Sequence, residues 1–214
     1  MLMVDLGAGL KGASQAMKER GWEVITLDVD PRFNCDITAD VRTWNPLDIY
    51  KTAWENKLTA PGVDLLWFSM PCDEFSRESM PWCKTGKVPD MSLVHACLRI
   101  RDILRPRFWV CENVRGAIQY FNPLMGKYRF HAGAFYLWGF FPTPGKVNVQ
   151  WRKKESYGSK QRAERAEIPM SLSRAISIQI ESQATLPLPT TGAMSRFNLV
   201  TLNKFMVLRS RPCG

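Results

Sequence analysis

Histidine is nearly absent from this 214-residue chain, with two copies, and acidic residues are outnumbered, 20 Asp plus Glu against 29 Lys plus Arg. The cysteines, Cys35, Cys72, Cys83, Cys97, Cys111 and Cys213, include no Cys-x-x-Cys pair. With so few histidines to complete a ligand set, no structural metal site is expected. No run approaches the ~20 apolar residues of a membrane span, and Asp5 interrupts the N-terminus before the apolar stretch of a secretory signal can form. The expectation is a soluble, cytoplasmic protein with reduced thiols and no membrane partner. Internal repeats and long low-complexity segments are also missing. What is present, 45% hydrophobic and 23% charged residues, suits one globular domain with a small appendage. The net charge of +9 favours a polyanionic partner, nucleic acid first. A surface charged only for solubility is the plainer alternative.

The apolar run 2–6, stopped by Gly7-Ala8-Gly9 and followed by Ala13, Ala16 and Met17 at helical spacing, reads as strand, glycine turn and helix. A second strand, 23–27, ends in Asp28-Val29-Asp30-Pro31; a third, 63–69, ends at Met70-Pro71-Cys72; a fourth, 108–111, ends at Glu112-Asn113. A helix is predicted near 91–104. Strands alternating with helices predict an α/β fold with a parallel, Rossmann-like sheet covered on both faces. In such sheets ligands sit beyond the carboxyl ends of the strands, where these polar clusters lie. From Arg115 to Gln150 aromatics, Gly and Pro dominate, and 152–165 carries six basic residues against Glu155 and Glu164, a stretch suited to a polyanion. Pro169 opens a last helix whose Leu172, Ile176 and Ile180 form an apolar stripe for docking on the main domain. The tail 185–214, with its Leu-Pro pairs, has no clear element, although 197–208 has the composition of a strand.

Three clusters carry candidate chemistry. Asp5-x-Gly7-x-Gly9 lets the backbone turn tightly against a ligand, and Asp28 ends the next strand where ribose hydroxyls can be held. Gly7, Gly9 and Gly12 also satisfy the dinucleotide spacing, so a nicotinamide-type domain competes, as does a purely structural turn. Pro71-Cys72-Asp73-Glu74-Phe75-Ser76 holds a thiol at a strand end. Most cysteines are small buried hydrophobes, the reading for Cys35, Cys97 and Cys111; position sets Cys72 apart. Glu112-Asn113-Val114-Arg115 puts a carboxyl near a buried sheet edge, where its pKa rises, unless it merely caps the next helix.

Taken in order, Asp-Leu-x-Ala-Gly, Asp-x-Asp-Pro, Asp40-Val41, Pro-Cys-x-x-Phe-Ser and Glu-Asn-Val resemble the DNA cytosine-5 methyltransferase family. Leu104-Arg105-Pro106, the segment 109–116, Leu137-Trp138-Gly139-Phe140-Phe141-Pro142 and Arg165-Ala166-Glu167-Ile168-Pro169 resemble its short phage-type members, over roughly residues 3–181. The resemblance implies a class I S-adenosylmethionine-dependent methyltransferase sheet, S-adenosyl-L-methionine as cofactor and double-stranded DNA as partner. It implies Cys72, Glu112 and Asn113 as catalytic residues, Asp5, Gly7, Gly9, Asp28, Asp40 and Pro71 around the cofactor, and Ser76, Arg152 and Arg165 on the substrate. Residues 1–184 form the catalytic domain on this reading, with 115–150 a reduced target-recognition region inside it and 185–214 a C-terminal tail. Gly7 stands where the family usually has phenylalanine, Lys11 replaces a glycine and Met70 a proline. The family's Gln-x-Arg-x-Arg has no clean copy, and its closing Gly-Asn-Ser-type segment is not recognisable. Alternatives are a cytosine-5 methyltransferase acting on RNA, a catalytically degenerate DNA-binding member of the fold and a nicotinamide-dependent dehydrogenase. The last leaves Pro-Cys-x-x-Phe-Ser and Glu-Asn-Val without a role.

Overall fold

The strand runs read from the sequence pair side by side. In a computed structural model, which describes residues 1–59, 62–79, 86–149 and 167–184, β1 (Leu2–Leu6) leads through α1 (Gly12–Lys18) to β2 (Glu23–Asp28) and the short β3 (Ile37–Thr38). After α2 (Asp48–Glu55) come β4 (Leu65–Ser69), α3 (Asp73–Ser79), α4 (Ser92–Leu104) and β5 (Phe108–Asn113). Then follow α5 (Ile118–Met125), β6 (Phe130–Ala132), β7 (Phe135–Phe140) and α6 (Met170–Ala184). The strand order is β3-β2-β1-β4-β5-β7-β6. β1 to β5 are parallel, and β7 runs antiparallel between β5 and β6.

Alternation along each strand supplies two cores. Leu2, Val4, Leu66, Phe68 and Cys111 face one side, under Val94, Cys97 and Ile100 of α4 and Phe121 of α5. Met3, Leu65, Trp67, Val110 and Leu137 face the other, under Ala13 and Met17 of α1 and the α6 stripe Leu172, Ile176 and Ile180. Both faces are covered, which is why the parallel strands read as unbroken apolar runs.

Two segments differ from the sequence expectation. Glu112 and Asn113 lie inside β5 rather than beyond it, because pairing continues on both sides, Ser69↔Glu112 to β4 and Asn113↔Tyr136 to β7. The stretch 115–150, for which the sequence predicts no helix or strand, contributes α5 and the β6–β7 pair, since Phe135 and Leu137 bury into one core while Trp138 buries into the other. The tail 185–214, Arg152 and Arg165 lie outside the described residues.

Candidate active site

β1 feeds β2 on one side of the sheet and neighbours β4 on the other, so a crevice opens beyond the ends of β1 and β4. Gly7 sits there with φ +69°, and a Cβ on it would come within 2.7 Å of the Ser69 carbonyl oxygen. No larger residue fits without moving β4, which accounts for glycine at this position. Gly7 and Ala8 amides both donate to the Leu27 carbonyl, at 2.8 and 3.1 Å, fixing the turn against β2. Behind the turn, a Cβ on Gly12 would lie 2.3 Å from the Ile168 carbonyl oxygen, and Ser173 of α6 donates to the Gly12 carbonyl at 3.1 Å. The entry to α6 thus backs the glycine loop.

Asp5 is buried under α1, and burial raises its pKa to about 7, against the Ser14 hydrogen bond that pulls it down. Its Oδ2 is a buried polar side-chain atom with no hydrogen-bond partner. Asp28 accepts the Gly9 amide at 2.9 Å through Oδ2 and the Asp30 amide at 2.9 Å through Oδ1, tying the glycine loop to the end of β2. Asp40, half-buried, is held by the Arg42 guanidinium at 2.6 Å, which keeps its carboxyl below the ordinary range.

β4 ends at Ser69, and the chain leaves it through Met70 and exposed Pro71 to half-buried Cys72. The Cys72 carbonyl accepts the Ser76 amide at 2.8 Å, so the thiol stands at the head of α3. Burial pushes the thiol pKa up, and the Ser76 hydroxyl bonded to it pulls the other way. Phe75 anchors α3 by edge packing on Phe121, ring centroids 5.1 Å apart. Asn113 Nδ2 donates to the Met70 carbonyl at 3.1 Å, and Asn113 Oδ1 accepts the Val114 amide at 2.9 Å. One side chain therefore holds the β5 end to the segment carrying Cys72.

Glu112 is paired in register with Ser69. Its burial raises the pKa to about 8, opposed by a hydrogen bond from Ser69, and Trp67 Nε1 in turn donates to Ser69 Oγ at 2.9 Å. At neutral pH this carboxyl is protonated and can donate a hydrogen bond. The structure thus gathers Asp5, Gly7, Gly9 and Asp28 at the ends of β1 and β2, and Cys72, Ser76, Glu112 and Asn113 at the ends of β4 and β5. Asp40 lies beyond β3. Sequence reasoning missed Ser14, Ser69 and Trp67, whose roles depend on strand register and carry no motif.

A seven-stranded α/β sheet with β7 reversed, a glycine turn at the switch point and polar clusters at four successive strand ends defines a class I methyltransferase of Rossmann-like type. Residues 1–122 match the C-5 cytosine-specific DNA methylases, and the chain belongs to that family. No curated protein matches it. Among solved structures it is similar to a prophage-encoded protein of E. coli described as a DNA modification methyltransferase, at 18% identity and TM-score 0.44, covering 65% of this chain and 46% of that one. It is also similar to DNMT2 of Spodoptera frugiperda, at 22% identity and TM-score 0.36 over 54% of this chain and 36% of that one. A third is the Entamoeba histolytica methyltransferase EhMeth, at 14% identity and TM-score 0.44 over 73% and 57%. The chain therefore spans about half the length, or less, of the first two.

Proposed function

We propose that the chain transfers a methyl group from S-adenosyl-L-methionine to carbon 5 of a cytosine in double-stranded DNA, through a transient bond between Cys72 and ring carbon 6. The observation that carries the reading is Glu112, a buried carboxyl kept protonated to about pH 8 in the strand that Asn113 ties to the Cys72 segment.

The residues present suit the cofactor. Asp5 Oδ2 is buried without a partner and suits a cation, and Gly7 leaves a cradle that a Cβ would fill. Asp28 would hold ribose hydroxyls, Asp40 the adenine amino group, and Gly9 and Pro71 would shape the walls. When bound, S-adenosylmethionine would supply a methyl carbon on a positively charged sulfur, electrophilic enough for the carbon 5 electron pair to take, with the carbon–sulfur bond breaking and its pair staying on sulfur as the neutral thioether.

Cys72, having lost its proton to solvent water, adds through sulfur to carbon 6, and the carbon 5–carbon 6 electron pair moves to carbon 5. Glu112 donates a hydrogen bond to ring nitrogen 3 and stabilises charge as it develops there. Asn113 keeps Cys72 and Glu112 in mutual position. Cys72 leaves as a thiolate when water removes the carbon 5 proton and that electron pair restores the ring double bond. A cytosine in a duplex must leave the stack to reach Cys72, at a few kcal/mol; Ser76, Arg152 and Arg165 are assigned to holding it.

Incorporation of labelled methyl into duplex DNA tests the reading. Transfer by the parent and none by Cys72→Ser, with DNA binding retained in both, is expected. Transfer by Cys72→Ser contradicts the mechanism, DNA binding without transfer by the parent points to a degenerate binder, and transfer to RNA alone reassigns the substrate.

A further inference from the structure

Lys11 (φ 64°) and Asn34 (φ 49°) are two of only four non-glycine residues with positive φ among the described residues. A single hydrogen bond joins them, Lys11 Nζ donating to the Asn34 carbonyl oxygen at 2.6 Å. The lysine thus spans from the loop after β1 to the loop after β2. A left-handed backbone is unfavourable for a lysine, whose Cβ crowds the following carbonyl, and a glycine would avoid it. Strain of this kind persists at sites that use it.

The surroundings say what an ammonium does there. Two residues before Lys11, the Gly9 amide is held by Asp28. Asp5 lies buried with an unpartnered Oδ2. The Cys35 thiol, next to Asn34, is pushed up in pKa chiefly by its own burial, with a Thr26 hydrogen bond and then the charge of Lys11 pulling it down and those of Asp28 and Asp5 adding to the rise. The side chains of Lys11, Asp28 and Asp5, the last with a carboxyl whose pKa burial raises to about 7 and that a neighbouring ammonium would keep ionised, therefore border the loops after β1 and β2. A ligand carrying an α-amino acid presents an ammonium and a carboxylate on one carbon; Asp5 complements the first, and Lys11 is the group that complements the second. The Asn34 carbonyl occupies only one of the three ammonium protons, so an incoming carboxylate need not displace it.

We propose that Lys11 binds the α-carboxylate of the amino-acid arm of the cofactor and makes the site selective for adenosyl ligands that keep it. This rests on the S-adenosylmethionine reading above.

Calorimetric titration of the full chain with S-adenosylhomocysteine and with S-adenosyl-3-thiopropylamine, the same molecule without its carboxylate, tests it. Lys11→Gly is suited to the purpose, since glycine adopts this backbone freely and the variant should melt no lower than the parent. Its expected effect is about tenfold weaker S-adenosylhomocysteine binding, the scale of one charge-assisted hydrogen bond, with binding of the decarboxylated analogue unchanged. Lys11→Arg should keep most of the preference. Equal loss for both ligands would show Lys11 to be only a strap between loops and would overturn the proposal, as would no loss for either. A parent that binds neither ligand would instead overturn the cofactor reading itself, an outcome distinguishable from a parent that binds both while Lys11→Gly is unaltered.

Discussion

On the proposed mechanism Glu112 and Cys72 need opposite protonation states at the same time. The thiolate fraction of Cys72 grows with pH toward a thiol pKa that burial has raised, whereas Glu112 loses its proton near pH 8. On the proposed mechanism kcat/KM, which reports the free enzyme, climbs with pH on the acid side and levels near the Glu112 transition. Glu112→Gln has no proton to lose there. It should lower turnover by about 10² to 10⁴, and its residual rate should keep climbing past pH 8. Initial rates of labelled methyl transfer between about pH 6 and pH 10 read this directly; a profile that levels at the same pH in both proteins contradicts the assignment of Glu112. The change is otherwise mild, because an amide can still bond to Ser69 and preserves the volume of the side chain.

At the scale of elements, α6 links packing to the site. Leu172, Ile176 and Ile180 are fully buried against α1 and the sheet, and the same helix holds the Gly12 carbonyl through Ser173. Ile176→Ala should lower the unfolding free energy by about 3 kcal/mol, while Ile178→Ala, at an exposed position of that helix, should stay within about 0.5 kcal/mol. Urea unfolding of the two variants checks this, and equal losses would mean that the stripe does not anchor the helix. The α6 stripe was readable in the sequence because its spacing of four matches one face of a helix. The buried parallel strands were readable as continuous apolar runs. The sequence hid α3, where Phe75, a core residue, sits among polar ones. It hid α5, which carries Pro123, and β7, whose Tyr136 and Trp138 face one core while Phe135 and Leu137 face the other, leaving no polar alternation. The candidate residues at strand ends were visible because a strand end is itself a sequence signal. Ser69 and Ser14 were not, since Ser69 meets Glu112 only through strand register and Ser14 meets Asp5 only once α1 folds back over β1.

For the whole molecule, the net charge of +9 and membership of the C-5 cytosine methylase family over residues 1–122 both suit the nucleic-acid substrate of the proposed function. The sheet sets Asp5, Asp28 and the glycine turn on one side of the β1–β4 crevice and Cys72, Asn113 and Glu112 on the other, so a methyl donor and a base held at the two sides would meet between them. The proposed chemistry turns on the bond between Cys72 and the base. It is tested most directly with duplex DNA containing 5-fluorocytosine in varied sequence contexts, incubated with the protein and S-adenosylmethionine, because fluorine at carbon 5 cannot leave as the proton does and so traps the adduct. A denaturation-resistant protein–DNA complex that requires S-adenosylmethionine and is lost in Cys72→Ser is expected. DNA binding with no such complex, or a complex that persists in Cys72→Ser, would contradict the proposed bond.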